Sequence, residues 1–83
     1  MPRKQELESS LQAKIIKRYE DEGYLVVKLT LTNKNGFPDL MLLKDGKTIF
    51  IEVKRKGGHP RPLQVYRHEE LKRFGFDVSV LSE

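Results

Sequence analysis

Three residues able to do chemistry meet around one predicted hairpin. Asp39 opens the apolar run Asp39 to Leu43, and Glu52 and Lys54 lie in a second run, Thr48 to Lys54. Asp45-Gly46 joins the runs and is a strong two-residue turn signal. With Lys44 opposite Lys47 and Leu43 opposite Thr48, the register sets Leu40 against Ile51 and Asp39 against Glu52. Directly opposed residues share a face, with Cβ atoms about 4.5–5.5 Å apart. Lys54, two positions beyond Glu52, shares it too. The remainder of the hairpin is apolar on both faces, the mark of a buried sheet. Two carboxylates side by side at the end of such a hairpin repel each other. They require a cation between them or a proton on one.

The helix predicted over Glu8 to Tyr19 carries a similar anomaly. At about 100° per residue, Leu7, Leu11, Ile15 and Tyr19 form an apolar arc, and Glu8 falls inside it with Gln12 beside it. Glu6 falls on the polar side, although a different helix start would let it replace Glu8. Hard oxygen ligands from Glu8, Asp39 and Glu52 suit Mg²⁺ or Mn²⁺. Such ions generate a hydroxide-like nucleophile and stabilise charge on a phosphoryl group. Lys54 can orient the attacking water or offset charge in the transition state. Alone, Glu-x-Lys is common in any Lys-rich chain, and Pro-Asp usually just starts a turn. Their placement on opposed strands, with Glu8 inside an apolar arc, is what points to a site.

The elements that must hold these residues follow in the order α-β-β-β-α-β. After the first helix and Gly23, Tyr24 to Thr32 is rich in β-branched and aromatic residues and reads as a strand, broken by Asn33-Lys34-Asn35-Gly36. The hairpin follows. The loop Arg55 to Pro62 contains two glycines and two prolines, Leu63 to Phe74 reads as a second helix, and Asp77 to Leu81 as a last strand. This predicts one α/β domain over residues 1–83, a small mixed sheet flanked by helices. No repeat or long linker divides it.

Composition narrows the function classes. Charged residues are 34% of the chain, against roughly 25% in ordinary globular chains. The net charge is +4, and the segment from Lys54 to Arg73 carries seven Lys or Arg against Glu69 and Glu70. A basic third of a small domain suggests a polyanionic partner, most often nucleic acid. The absence of Cys excludes disulfides, Cys-type zinc sites and thiol catalysis, and fits an intracellular protein. No apolar run approaches the ~20 residues of a membrane span, and the N-terminus leads into no apolar signal core.

Gly36-Phe37-Pro38-Asp39-Leu40 followed by Glu52-Val53-Lys54 resembles the PD-(D/E)xK nuclease signature. Further features resemble one branch of it, the VRR-NUC (virus-type replication–repair nuclease) domain. These are a helical Glu8 with Gln12 four residues on, an aliphatic Ile51-Glu52-Val53-Lys54 strand, a basic Gly-rich loop, and Leu63-Gln64 opening the second helix. The resemblance covers roughly Glu6 to Leu81. It implies a restriction-endonuclease-like core, with Glu8, Asp39, Glu52 and the Val53 carbonyl as ligands to Mg²⁺ or Mn²⁺. It also implies Lys54 as the catalytic lysine and Gln64 as a residue that supports the site or touches the scissile strand. The implied reaction is hydrolysis of DNA phosphodiesters, leaving 5′-phosphate and 3′-hydroxyl. Small stand-alone members resemble viral or phage proteins of the Holliday-junction-resolvase type, which would act as homodimers in the host cytoplasm.

Arg55, Lys56 and Arg61, in a flexible loop just after the catalytic strand, are placed to hold a DNA backbone. Elsewhere ordinary roles suffice. His59 reads as a solvated loop residue, His68 as surface, and Tyr66 and Phe74 as core rather than base-stacking platforms, while Lys28 could line the cleft or an edge. Two other readings compete with a metal-dependent DNA endonuclease. One is a non-catalytic nucleic-acid-binding module using the basic loop; the other is an RNA-directed endonuclease on the same fold. A pure binder gains nothing from Glu8, Asp39 and Glu52 beside a polyanion.

Overall fold

The computed structural model describes residues 4–82, with side chains from residue 8 onward. Helix α1 spans Lys4–Asp21, and strands β1, β2 and β3 span Leu25–Lys28, Leu40–Lys44 and Lys47–Lys54. Helix α2 spans Pro62–Arg73 and strand β4 Asp77–Ser82. The α-β-β-β-α-β order is as expected. In the sheet the order is β1-β2-β3-β4; β1, β2 and β3 pair antiparallel and β3 pairs parallel with β4.

The hairpin register matches the sequence expectation, with Leu40 opposite Ile51 and Lys44 opposite Lys47. Its turn is the reason. Asp45 and Gly46 both take positive φ, 52° and 76°, the two-residue type I′ geometry whose twist matches that of paired strands. A turn this short leaves no slack for slippage.

The core lies on one face of the sheet. Leu11 and Ile15 of α1 bury against Leu40, Leu42, Ile51 and Val53, with Ile16, Tyr19, Tyr24, Val26, Ile49 and Leu81 around them. Side chains alternate along a strand, so Phe50 and Glu52 point to the other face, where α2 packs. Both helices end in paired bonds around a glycine. The amides of Gly23 and Tyr24 donate to the carbonyls of Glu20 and Tyr19, and those of Gly75 and Phe76 to the carbonyls of Lys72 and Leu71. Each helix thus turns back at once into a strand. Among the described residues, no helix is long and apolar enough to cross a membrane.

Two expectations are corrected. The first strand stops at Lys28 instead of running to Thr32. Its partner β2 begins at Leu40, opposite Lys28, and only one further backbone bond, from the Leu29 amide to the Asp39 carbonyl, extends the pairing. Beyond that no strand among the described residues pairs with the β-branched residues, and Leu31 is 93% exposed. The second helix is also rotated from the phase its apolar residues suggest. Tyr66 and Phe74 are exposed rather than core, while His68, expected at the surface, is buried with Leu71. The inward face of α2 includes the polar Gln64 and His68 because it covers the carboxylate Glu52.

Candidate active site

Pro38 is buried and Asp39 follows it immediately ahead of β2. The approach to this point depends on Gly36. Its φ is +81°, and a Cβ there would lie 2.6 Å from the Leu63 carbonyl oxygen, so the β1–β2 loop packs directly on the first turn of α2. Arg67 reinforces that seam by donating from Nε to the Asn35 carbonyl at 3.0 Å. The loop thereby delivers Asp39 to the end of β3, where Oδ2 accepts the Val53 amide at 2.8 Å.

Glu52 is the centre of the cluster and is 1% exposed. Gln64 Nε2 donates to its Oε2 at 3.3 Å, and His68 Nε2 lies 3.2 Å from its Oε1. Lys54 Nζ is 3.9 Å from Oε2. Gln64 has a second duty. Its Oε1 accepts the Arg61 amide at 2.8 Å, which ties the end of the basic loop to the start of α2. Every described buried side-chain polar atom has a partner.

Electrostatics express the crowding that the sequence implied. Burial, then the hydrogen-bonding proximity and charge of Asp39, raise the Glu52 carboxyl to about 8, and Glu8 adds to the rise while Lys54 opposes it. Glu8 is half-buried and therefore acts on the site from α1, together with a half-buried Gln12. The Glu6 side chain lies outside the described residues. Burial and then the Lys72 charge lower His68 below its ordinary value, which favours the neutral imidazole beside Glu52.

Among the described residues no three His, Asp or Glu side chains are gathered closely enough to form a metal cage by themselves. Asp39 and Glu52 form the pair, and Glu8 acts on it at longer range. The donor set still fits a hard divalent cation. Mg²⁺ typically binds through one or two carboxylates and keeps several waters or substrate oxygens. Here two carboxylates meet at a buried position that favours a proton or a cation.

Arg55, Lys56, His59 and Arg61 are exposed on the loop after β3, and Lys28 is exposed on the edge strand β1. The site residue that sequence reasoning missed is His68. Its signal was the spacing Gln64 to His68, one helical turn, which places both on the same face.

The raised Glu52 carboxyl has a consequence for the metal-free protein. A carboxyl whose folded-state value lies above its unfolded 4.5 stabilises the fold below that pH, and this contribution disappears as pH rises toward about 8. In chelator, Glu52→Gln should therefore gain thermal stability relative to the wild type as pH is raised through this range. A constant difference between the two melting curves from pH 5 to 9 would count against the assignment.

No family model matches the chain. The chain is 33% identical over 75 residues to a protein of Acyrthosiphon pisum secondary endosymbiont phage 1 named "Putative nuclease p44", covering 89% of this chain and 81% of that one. It is 33% and 31% identical over 70 residues to the crossover junction endodeoxyribonucleases Hjc of Sulfurisphaera tokodaii and Sulfolobus acidocaldarius. Those matches cover 80% of this chain but only 49% of each resolvase, so the chain spans about half their length. A solved VRR_NUC domain superimposes with a TM-score of 0.81 at 35% identity, over 92% of this chain and 84% of that one. With the Asp39–Glu52–Lys54 arrangement in place at the end of the hairpin, the chain belongs to the VRR-NUC family of nucleases.

Proposed function

We propose that the chain is a Mg²⁺- or Mn²⁺-dependent endodeoxyribonuclease that selects branched DNA and works as a homodimer inside the cell. The observation that carries this reading is a buried Glu52 in contact with Asp39 and flanked by Lys54. Asp39, Glu52, the Val53 carbonyl and, from α1, Glu8 would hold the cation. The cation would supply an activated water and neutralise charge on the phosphoryl oxygens.

The protein's own groups account for the remaining requirements. Asp39 is fixed by the Val53 amide, so the carboxylate does not swing away from the strand end. Lys54, only 11% exposed, offers an ammonium beside the carboxylates that orients the attacking water and offsets charge on the pentacoordinate phosphorus. As the water oxygen bonds to phosphorus, the bond to the 3′ oxygen breaks and that oxygen takes a proton, leaving 5′-phosphate and 3′-hydroxyl. Gln64 keeps Glu52 in register with the loop end. Arg55, Lys56 and Arg61 would contact the backbone of the bound strand.

Branched DNA and dimerisation are favoured by the likeness to proteins named as crossover junction endodeoxyribonucleases. Cutting a four-way junction symmetrically takes two active sites in a two-fold relation, and a two-fold dimer supplies them. Exposed Leu25, Leu63, Val65 and Phe74 leave apolar surface that a second copy could cover.

The direct test is cleavage of linear duplexes, flaps, four-way junctions and RNA with Mg²⁺ or Mn²⁺. Asp39→Ala and Glu52→Ala should each lower the rate by about a hundredfold or more while DNA binding holds or tightens, and Lys54→Ala should lower it similarly without weakening metal binding. Full activity of Asp39→Ala would overturn the site, and tight binding without cleavage by the wild type would favour a binding module. Neutralising Arg55, Lys56 and Arg61 together should weaken DNA binding for every sequence. It should also flatten the salt dependence by up to about 0.9 in log–log slope for each phosphate no longer neutralised. Sedimentation equilibrium should give twice the monomer mass of 9.7 kDa. A monomer producing unpaired nicks would refute the resolvase reading while leaving a simple nuclease.

A further inference from the structure

We propose that His68 is a positioning residue for Glu52; this rests on the metal-dependent reading above. The imidazole is 5% exposed and its Nε2 stands 3.2 Å from Glu52 Oε1, while Gln64, one turn earlier on α2, donates to Oε2 at 3.3 Å. Each carboxylate oxygen therefore has one partner from the same helix face. Two contacts from a rigid helix fix both the tilt and the rotation of the carboxylate, which one contact cannot do. Asp39 borders the same carboxylate, and Lys54 Nζ stands 3.9 Å from its Oε2. Groups that hydrogen-bond a metal ligand commonly alter metal affinity or activity ten- to a hundredfold when removed.

Two substitutions separate this role from simple core packing. His68→Leu keeps bulk and removes the hydrogen bond, whereas His68→Gln can return an amide nitrogen near the position of Nε2. In Mn²⁺ titrations followed by calorimetry and by metal-induced thermal shift, His68→Leu should need about ten- to a hundredfold more Mn²⁺ than the wild type. His68→Gln should return to within a few-fold. Because His68→Leu could fail to fold, a measurement on the unaltered side chain runs beside it. The ¹⁵N imidazole resonances of His68 should shift on addition of Mg²⁺ to the wild type and stay fixed in Glu52→Gln. Equal Mn²⁺ midpoints for wild type and His68→Leu, or His68 resonances that ignore bound Mg²⁺, would overturn the assignment while leaving the nuclease reading intact. A wild type that binds neither ion would overturn both.

Discussion

Glu52 is almost wholly withdrawn from water on the longest strand of the sheet, and its surroundings are arranged by that fact. Withdrawing a carboxylate from water costs several kcal/mol, and attraction to a partner offsets this only when its lone pairs are also satisfied. Among the described residues the nearest cation, Lys54, stands at 3.9 Å, beyond hydrogen-bonding range, and the closer contacts come from Gln64 and His68. The fold therefore holds the group by hydrogen bonding without compensating a negative charge, which is why the protonated form is favoured up to about pH 8. Asp39 sharpens the imbalance, because it is held against the same strand end by a backbone amide. A site of this kind has a standing affinity for a proton or a cation.

The two faces of the sheet divide the work. On one, α1 closes an apolar core over Leu40, Leu42, Ile51 and Val53 and carries the burial that stabilises so small a chain. On the other, α2 commits much of its inward face to Gln64 and His68. That face gains less apolar burial and holds a pre-arranged site instead. The crossover from β3 through α2 to β4 makes the arrangement durable: β4 pairs parallel with β3 along Ile49–Lys54, so the helix that holds Glu52 is anchored at both ends to the strand that bears it.

The β1–β2 loop is the other positioning device. Its close approach to α2 at Gly36 and the Arg67 bond to the Asn35 carbonyl brace the segment that carries Asp39. Gln64 braces the basic loop at Arg61 in the same way. The two loops that flank the carboxylates thus converge on the first turns of one helix, so a shift of α2 would be felt by the carboxylate pair and by the basic loop together.

Much of this was legible in the residues. Asp45-Gly46 determined the hairpin register, because a type I′ turn admits one pairing, and the register brought Asp39 opposite Glu52 with Lys54 on the same face. The helical period placed Glu8 toward the interior and Leu11 and Ile15 in the core, since α1 packs on an apolar sheet face and periodicity reads such faces well. The tertiary structure alone decided the rest. Tyr24 to Thr32 has the composition of one long strand, but a strand lasts only as long as its neighbour, and β2 starts at Leu40. The apolar residues of α2 pointed to the wrong side, leaving Tyr66 and Phe74 in solvent and His68 inside. Hydrophobic periodicity assumes that the buried side of a helix is the apolar one. Here the buried side faces a carboxylate, and hydrogen bonding to Glu52, which no pattern within α2 encodes, set the rotation of the helix.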